Sequence, residues 1–312
     1  MLQHITEEID LVTINYPSGM GETNCFLIRG ENGYTIIDTG MYSKTGIQQW
    51  QEMMNSGYKI EKIVLTHVHQ DHIGLAKWFQ EEIGVPVVVS KLGYGEMKKY
   101  LQPNFQDRMK ELVMRHGVPA IPNKIPDTSF QYDFKPDEFF EDGDEIRLGK
   151  DLYDVIWTPG HAYDHYCFYN REKKIMIIGD HILKHISPVI GLWVGEEMDL
   201  LNDYFESLDK IDKFPTDIAL PGHGEIIYQL QDRIEEIRNS HEKRLRQVYR
   251  LVCENDAKTA LDICLRVYDK LNLEQMLSPF MASLTRLIYL ENMGKIERIE
   301  ENGICKFRSL ES

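Results

Sequence analysis

The stretch Thr66-His67-Val68-His69-Gln70-Asp71-His72 places four side chains that can bind a metal ion within six residues. It follows an apolar segment, residues 59–65, that is typical of a β-strand, so these side chains lie where a predicted strand ends. Because side chains alternate between faces along extended backbone, His67 and His69 are expected to point to one side and bind one ion. Asp71 and His72 come after this alternation and can bind a second ion from the following turn. A helix N-cap aspartate among scattered surface histidines is the alternative, and the density of ligand-type residues disfavours it.

Three more ligand-type residues follow apolar segments further along the chain. They are His161 after residues 153–160, Asp180 after residues 174–179, and His223 after residues 218–222. A glycine precedes each of them and allows the backbone to turn sharply. Asp38 also follows an apolar segment, residues 35–37. Singly, each of these is an ordinary strand-to-loop turn, but together they indicate several strand ends that bring ligands to one centre.

The pattern His-x-His-x-Asp-His, followed by His, Asp and His at later strand ends, resembles the metallo-β-lactamase superfamily over residues 38–223. The resemblance implies an α/β fold, the αββα metallo-β-lactamase sandwich. It also implies two sets of metal ligands with an aspartate between them: His67, His69 and His161 for the first ion, Asp71, His72 and His223 for the second, and Asp180 bridging both. Asp38 matches an early aspartate of the family that supports the site without binding metal. Asp71 and Asp38 are therefore the predicted catalytic carboxylates.

The ligand types favour hydrolysis. Neutral imidazoles and carboxylates can hold two divalent cations, and water on such cations is acidified to a pKa of roughly 7, which makes hydroxide available at neutral pH. The sequence contains no Gly-x-Ser-x-Gly, His-Glu-x-x-His or Gly-x-x-x-x-Gly-Lys motif. Di-iron members of the superfamily that reduce oxygen resemble this pattern but carry glutamate at the position of His69, so redox chemistry is not expected. Zinc is the predicted metal, although these ligands also suit iron, manganese and cobalt.

The predicted function is therefore metal-dependent hydrolysis of an ester, thioester or lactone by a metal-bound hydroxide. The alternative is an endoribonuclease or phosphodiesterase that acts on RNA. A binding module without catalytic activity is a third possibility, and so complete a set of ligands disfavours it.

Composition predicts a cytoplasmic protein. The chain has 312 residues and five widely spaced cysteines, which do not form a disulfide framework and are expected to be buried thiols. Its N-terminus lacks the basic region and apolar core of a signal peptide, and no stretch approaches the length of a membrane span. No membrane association is expected.

The pattern changes near residue 230, where strand and loop signals give way to long helical segments. We therefore expect a catalytic domain at residues 1–230 and a small helical domain at residues 231–312. Three predicted helices precede a hairpin signal at Asn302-Gly303. This arrangement resembles the winged-helix extension of one branch of the superfamily, which includes a mitochondrial endoribonuclease.

Charge argues against nucleic acid as the partner of this second domain. The chain carries a net charge of −15, and residues 241–312 contain 12 Lys+Arg against 11 Asp+Glu. Nucleic-acid binding usually needs a clearly basic face, and Lys243-Arg244-Leu245-Arg246 is more typical of a solvated helix face. The tail is expected to be mainly structural, packing on the core or forming a homodimer contact, and the predicted partner is a small acyl substrate.

The residues around the ligand pattern include further candidates. The long segment between residues 91 and 142 is expected either to shape the substrate pocket or simply to cover the core, with helices near residues 96–100 and 108–114 and a proline-rich loop after them. Candidates for contacts with substrate or ligands are Tyr163, Asp164, His165, His181, Lys184, His185 and Trp193. His4, His116 and His241 show no ligand context and are predicted to lie on the surface.

Overall fold

Two β-sheets, packed face to face, form the centre of the molecule. The computed structural model describes residues 2–16, 21–119, 127–254, 256–268 and 276–310. The first sheet has seven strands in the order of the chain: β1 (Leu2–His4), β2 (Ile9–Asn15), β3 (Glu22–Arg29), β4 (Tyr34–Ile37), β5 (Ile60–Val64), β6 (Val87–Ser90) and β7 (Glu138–Phe140). Strands β1 to β4 pair antiparallel, and β4 to β7 pair parallel. Strands β4 to β7 therefore all end at the same edge of the sheet.

The second sheet has five strands in the order β12-β11-β10-β9-β8. They are β8 (Glu145–Leu148), β9 (Asp151–Trp157), β10 (Tyr166–Asn170), β11 (Ile175–Gly179) and β12 (Ile218–Pro221). Only β11 and β12 pair parallel, so these two strands end side by side. The residues that follow them, Asp180 and His223, are therefore neighbours although 43 positions separate them in the chain.

Neighbouring side chains of one strand pack into different apolar cores, one between the two sheets and one outside them. In β10, Tyr166 and Phe168 pack between the two sheets, whereas Cys167 and Tyr169 pack against the helices outside. In β3, Phe26 lies between the sheets. The two-residue period of a strand explains this, since neighbouring side chains point to opposite faces. Strands that are apolar on both faces must be covered on both sides, which requires a layer of helices outside each sheet.

Helices cover both outer faces and complete the predicted αββα sandwich. On the first sheet lie α1 (Lys44–Asn55), α2 (Gln70–Ile73), α3 (Ala76–Trp78), a π-helical turn (Phe79–Ile83) and α4 (Lys91–Tyr100), and α5 (Phe105–Arg115) follows. The second sheet is covered by α6 (Leu200–Ile211) and α7 (Leu230–Cys253). The predicted helices near residues 96–100 and 108–114 correspond to α4 and α5. Of the prolines expected in the loop after them, Pro122 and Pro126 lie outside the described residues.

The tail contains the three helices and the hairpin expected from the sequence. After α7 come α8 (Ala260–Val267), α9 (Leu277–Asn292) and the hairpin β13 (Ile296–Glu301) and β14 (Ile304–Ser309). Asn302 and Gly303 both have positive φ, as a tight two-residue hairpin turn requires. One apolar cluster runs from the outer face of the second sheet through α6 and α7 to Phe307 of the hairpin. The domain boundary at residue 230 and the winged-helix assignment stay predictions.

Three surface and burial expectations were wrong. His116 and His241 are buried rather than exposed, and Cys253 is exposed rather than buried. His116 lies 3.0 Å from Glu197, and His241 packs against the rings of Tyr204 and Phe205. A lone histidine carries no sequence signal for such distant partners. His4 is exposed as expected. Among the described residues, no helix combines the length and apolarity needed to cross a lipid bilayer.

Candidate metal centre

The seven predicted ligands come together at one edge of the sandwich. His67 and His69 lie just after β5, and Asp71 and His72 lie in the single turn of α2. The other three follow the ends of β9, β11 and β12, and they are His161, Asp180 and His223. The side chains form two groups, and within each group the potential ligand atoms all lie within 4.8 Å of one another: His67, His69 and His161 in the first, and Asp71, His72, Asp180 and His223 in the second. The structure therefore brings together every residue of the predicted set.

In the first group, three imidazole nitrogens converge. The Nδ1 atom of His69 lies 3.0 Å from Nε2 of His67 and 2.9 Å from Nε2 of His161. The far nitrogen of His161, Nδ1, donates to the carbonyl oxygen of Val189 at 2.8 Å, so its Nε2 carries a lone pair. Because Oγ1 of Thr66 already donates to Asp38, it can only accept from Nδ1 of His67, which leaves a lone pair on Nε2 of His67 as well. Two lone pairs therefore face the centre of this group.

The second group repeats this arrangement with carboxylates. Nδ1 of His72 donates to Asp38 at 2.8 Å, and Nδ1 of His223 donates to the carbonyl oxygen of Glu22. The Nε2 atoms of both rings therefore point inward, where Nε2 of His223 lies 3.3 Å from Asp71 and 3.2 Å from Asp180. Hydrogen bonds from the outer nitrogen are the usual means by which proteins orient metal-binding imidazoles.

These donor atoms fit divalent cations. Nε2 of His72 and Oδ1 of Asp180 face each other at 3.5 Å, and both are buried without a hydrogen-bond partner among the described residues. Two buried acceptor atoms in this position repel each other unless a proton or a cation lies between them. Burial opposes protonation of His72, but Asp180, Asp38 and Asp71 outweigh it and raise its pKa, so a divalent cation would take the place of that proton. Asp180 also lies 3.4 Å from Nε2 of His161, so its carboxylate reaches both groups. The residues thus suit two ions, and the individual ligand roles stay predictions.

The histidines of the two groups differ in their pKa values. Burial lowers the pKa of His67, His69 and His161, that of His69 to about 3, so all three imidazoles are neutral and available as ligands. In the second group burial opposes protonation of His223, but Asp180 and Asp71 outweigh it and raise its pKa to about 10. The carboxylates there attract positive charge strongly, and a divalent cation would satisfy them in place of the proton.

Asp38 supports both groups from behind. It follows β4 with φ of +59°, a conformation that few residues other than glycine and asparagine adopt readily. Its carboxylate accepts hydrogen bonds from the backbone N–H of Thr66 at 2.9 Å, from Oγ1 of Thr66 at 2.8 Å and from His72. It thereby orients His72 directly and His67 through Thr66. The role of Asp38 as a support that does not bind metal stays a prediction, and these hydrogen bonds are compatible with it.

Two glycines, Gly222 and Gly179, leave the space that the side chains of the site occupy. A Cβ atom at Gly222 would lie 2.3 Å from Oδ1 of Asp180 and 2.8 Å from Cε1 of His72. Gly179 has φ of +45°, and a Cβ atom there would lie 2.6 Å from Nε2 of His165. Any side chain at these two positions would displace the ligand set.

Tyr16 is a site residue that the sequence analysis missed. Its hydroxyl donates to Oδ2 of Asp71 at 2.6 Å, and its ring stands edge-on to His223. Burial and the negative charge of Asp71 raise the pKa of Tyr16, so it stays a neutral donor. Tyr16 directly follows β2, so it too stands at a strand end, but tyrosine is seldom read as part of a metal site.

The other candidate residues divide between the site and the surface. His165 accepts from the backbone N–H of Asp180 at 3.1 Å and positions that ligand, while Asp164 accepts from the backbone N–H of Val68 at 3.0 Å. Burial and the nearby Glu96 raise the pKa of Asp164 to about 7. His181 is buried against Tyr204, whereas Lys184 and His185 pair with Glu225 on the surface. Tyr163 and Trp193 line cavities next to His69.

A cleft opens beside the first group. A cavity of about 350 Å³ is lined by His69 and His161 together with aromatic side chains, and a second cavity of about 500 Å³ adjoins it. Residues of α4, α5 and the loop around Tyr132 form much of the wall. These elements belong to the long segment between residues 91 and 142.

Comparisons with known proteins agree with this architecture. A relative from Bacillus subtilis (strain 168), named probable metallo-hydrolase YqjP, is 26% identical over 324 residues, and the alignment covers 98% of this chain and 99% of that protein. An Aspergillus fumigatus protein named atrochrysone carboxyl ACP thioesterase is 27% identical over 231 residues, which is 72% of this chain and 58% of that protein.

A solved structure of a metallo-beta-lactamase family protein from Thermus thermophilus has the same fold, with a TM-score of 0.85 and 24% identity over 98% of this chain and 100% of that chain. The family model described as the metallo-beta-lactamase superfamily matches residues 18–223, well over half of the sequence and the part that carries all seven ligand-type side chains. The chain therefore belongs to the metallo-beta-lactamase superfamily.

Proposed function

We propose that this metal-dependent hydrolase cleaves an ester, thioester or lactone of a small acyl group at a centre of two divalent cations, with zinc as the ion. The observation that carries the proposal is the convergence of two groups of ligand atoms beside an open cleft. When bound, the cations supply a Lewis acid for the substrate carbonyl and an acidified water as nucleophile.

The chain's own residues orient these partners and handle protons. Water adds to the carbonyl carbon, the bond from that carbon to oxygen or sulfur breaks, and the leaving alcohol or thiol takes up a proton. Asp71 has a lowered pKa because its histidine neighbours outweigh the effect of burial, so its carboxylate stays ionised and can accept a hydrogen bond from the water and orient it. Tyr16 holds one oxygen of that carboxylate and so restricts its orientation.

Charge around the cleft supports an acyl substrate over RNA. Neither lysine nor arginine occurs among the described residues that line the two cavities at His69 or the larger cavity that adjoins them, and Asp107 and Asp127 lie in the larger one. A polyanion extending through these cavities would meet repulsion from the carboxylates without lysine or arginine side chains to compensate for it. The name of the Aspergillus fumigatus relative, a thioesterase, also agrees with a thioester as substrate.

The direct test is to reconstitute the protein with zinc and to measure its hydrolysis of a panel of thioesters, esters and lactones. Cleavage of single-stranded RNA is measured in parallel. We expect turnover of at least one small acyl substrate and its loss in His67→Ala, which removes a ligand-type nitrogen of the first group. Parallel reconstitution with manganese, iron and cobalt tests the choice of zinc. Metal-dependent cleavage of RNA alone would contradict the proposal.

A second variant tests the tail as an RNA-binding surface. Lys243 and Arg246 are exposed on α7, and Arg244 stacks over the ring of Tyr268. Changing all three to glutamate should leave acyl hydrolysis intact because they lie on a helix face outside the cleft. A large and selective loss of activity on RNA would favour the alternative function.

A further inference from the structure

Aromatic rings dominate the cleft beside the first ligand group. Tyr100, Phe105, Tyr132 and Trp193 line the same cavity as His69 and His161, and no Asp, Glu, Lys or Arg occurs among the described residues that line it. Its volume of about 350 Å³, extended by the adjoining cavity, is in the range of small-molecule sites. The wall next to the proposed reaction centre is therefore mainly aromatic.

The rings are held in place by contacts with one another. Tyr100 and Tyr132 stack with centroids 4.3 Å apart and an interplanar angle of 5°, and Phe105 lies 4.9 Å from Tyr100. Trp193 lies directly on Gly191, where a Cβ atom would come within 2.6 Å of the indole ring. A preformed aromatic wall binds a flat group with little loss of side-chain freedom.

The C-terminal tail completes the wall. Ser278, in the first turn of α9, lines the same cavity as Trp193, and Leu277 lines the adjoining one. The tail also contacts the segment that carries Trp193, since Asn292 of α9 donates to Asp199 at 2.8 Å and Arg298 donates to Glu197 at 2.6 Å. The tail is thus part of the cleft as well as a cover for the second sheet.

We propose that this cleft selects substrates whose acyl group is an uncharged, flat ring system, bound between Trp193 and Tyr100, with the buried Tyr132 behind Tyr100 and the exposed Ser278 at the mouth. The inference rests on the proposed acyl hydrolysis and names its substrate class. An anionic acyl chain is disfavoured because nothing in the described lining offers a counter-charge. A short acyl group such as acetyl would reach the ligands but leave the aromatic wall without contacts.

The test uses one leaving group throughout. Zinc-loaded protein is assayed with acetyl, 2-naphthoyl and succinyl thioesters of N-acetylcysteamine, so only the acyl group varies. We expect kcat/KM for naphthoyl to exceed that for acetyl by roughly tenfold or more, with succinyl the poorest. In Trp193→Ala the ratio of naphthoyl to acetyl should fall by roughly tenfold, and Trp193→Phe should retain most of it.

Two further variants guard against misfolding and indirect effects. Ser278 is exposed, so Ser278→Trp should fold normally and lower the naphthoyl rate more than the acetyl rate by narrowing the mouth. Phe139→Ala removes a ring on β7 that contacts Tyr94 and does not line the cleft, and it should leave the ratio unchanged. Binding of a naphthyl ketone, in which a methylene replaces the thioester sulfur, is measured by calorimetry as a readout that needs no turnover.

The outcomes separate this inference from the proposed function. Turnover of the thioesters with acetyl equal to naphthoyl, or with a ratio that both Trp193→Ala and Ser278→Trp leave unchanged, would overturn the inference and keep the hydrolase. Ketone binding that Trp193→Ala weakens, in a protein that hydrolyses none of these thioesters and none of the esters and lactones of the first panel, would support the aromatic site and overturn the proposed function. Absence of ketone binding would overturn the inference.

Discussion

At the residue scale, Asp38 shows how one buried carboxylate can control several ligands. It accepts three hydrogen bonds and so determines which nitrogen of His72 faces the centre. Asp38→Asn is a sharp test because asparagine also tolerates the positive φ at this position, so the backbone should be preserved. The NH2 group of asparagine would face the O–H of Thr66 and the Nδ1–H of His72, which are also donors. These hydrogen bonds would be lost, and His72 would no longer be held in its orientation. We expect metal affinity to fall by about 10- to 100-fold, measured by competition with a chromophoric chelator.

The control for this variant is Asp209→Asn. Asp209 is a surface aspartate that pairs with Arg238 far from the ligands, so its neutralisation should leave metal affinity unchanged. Equal metal affinity in Asp38→Asn and wild type would show that the hydrogen bonds of Asp38 do not govern the site.

Tyr16 gives a second test at the same scale. Tyr16→Phe removes the hydrogen bond to Asp71 and the longer one that Thr23 donates to the Tyr16 hydroxyl at 3.2 Å, and it retains the ring. We expect affinity for one of the two cations to fall by about 10- to 100-fold while affinity for the other is unchanged, because only the second group loses a partner. Stepwise metal titration by calorimetry separates the two events. Tyr228→Phe, at an exposed tyrosine, is the matched control, and an equal effect on both cations would argue against a role confined to Asp71.

At the element scale, one partly buried ion-pair cluster attaches the hairpin and α9 to the catalytic part. Arg298 of β13 donates to Glu197 at 2.6 Å and to Glu291 of α9 at 2.8 Å, and His116 lies 3.0 Å from Glu197. Removing one partner leaves partly buried charges unsatisfied. Arg298→Met should therefore lower the free energy of unfolding by roughly 1–3 kcal/mol, measured by urea denaturation.

Arg308→Met is the control within the same hairpin. Arg308 pairs with Glu297 at an exposed position, where an ion pair contributes about 0–1 kcal/mol. A similar loss of stability in both variants would mean that the hairpin itself, and not the Glu197 cluster, is the source of the effect.

The pH dependence of the Arg298 effect follows from Glu197. Burial opposes its ionisation, but the hydrogen bonds from His116 and Arg298 outweigh burial and lower its pKa from 4.5 to about 2. A carboxyl group with a lowered folded pKa stabilises the protein above its unfolded pKa, and this contribution is lost as the pH falls through the folded value. The stability difference between wild type and Arg298→Met should therefore shrink as the pH falls from about 5 to about 2.

At the scale of the whole molecule, the metal centre joins the two sheets. Its ligands come from the ends of β5, β9, β11 and β12, so bound cations would hold both halves of the sandwich together. Removal of cations by a chelator should lower the melting temperature by roughly 5–10 °C, as expected when ions that bind only the folded state are withdrawn. Differential scanning calorimetry with metal analysis provides the measurement. His67→Ala should show a smaller shift on chelation, and an unchanged melting temperature in wild type would contradict a stabilising metal centre.

Much of the candidate site could be predicted because its signals are local. His67, His69, Asp71 and His72 are neighbours in the sequence, and the other ligands each follow an apolar strand that can be recognised from composition. The strand ends then meet because parallel strands finish at one edge. The sequence analysis placed His116 and His241 on the surface for the opposite reason. Their burial depends on partners such as Glu197, which is 81 residues from His116.

By itself, the sequence determined the superfamily, the αββα layers and the identity of the seven ligand-type residues, because strand periodicity and ligand chemistry are written in short segments. Only the tertiary structure decided that Tyr16 holds Asp71, that rings from α4, α5 and two loops form one aromatic wall, and that Ser278 of the tail closes it. These features depend on side chains brought together across long stretches of chain by packing, and packing contacts have no fixed spacing in the sequence.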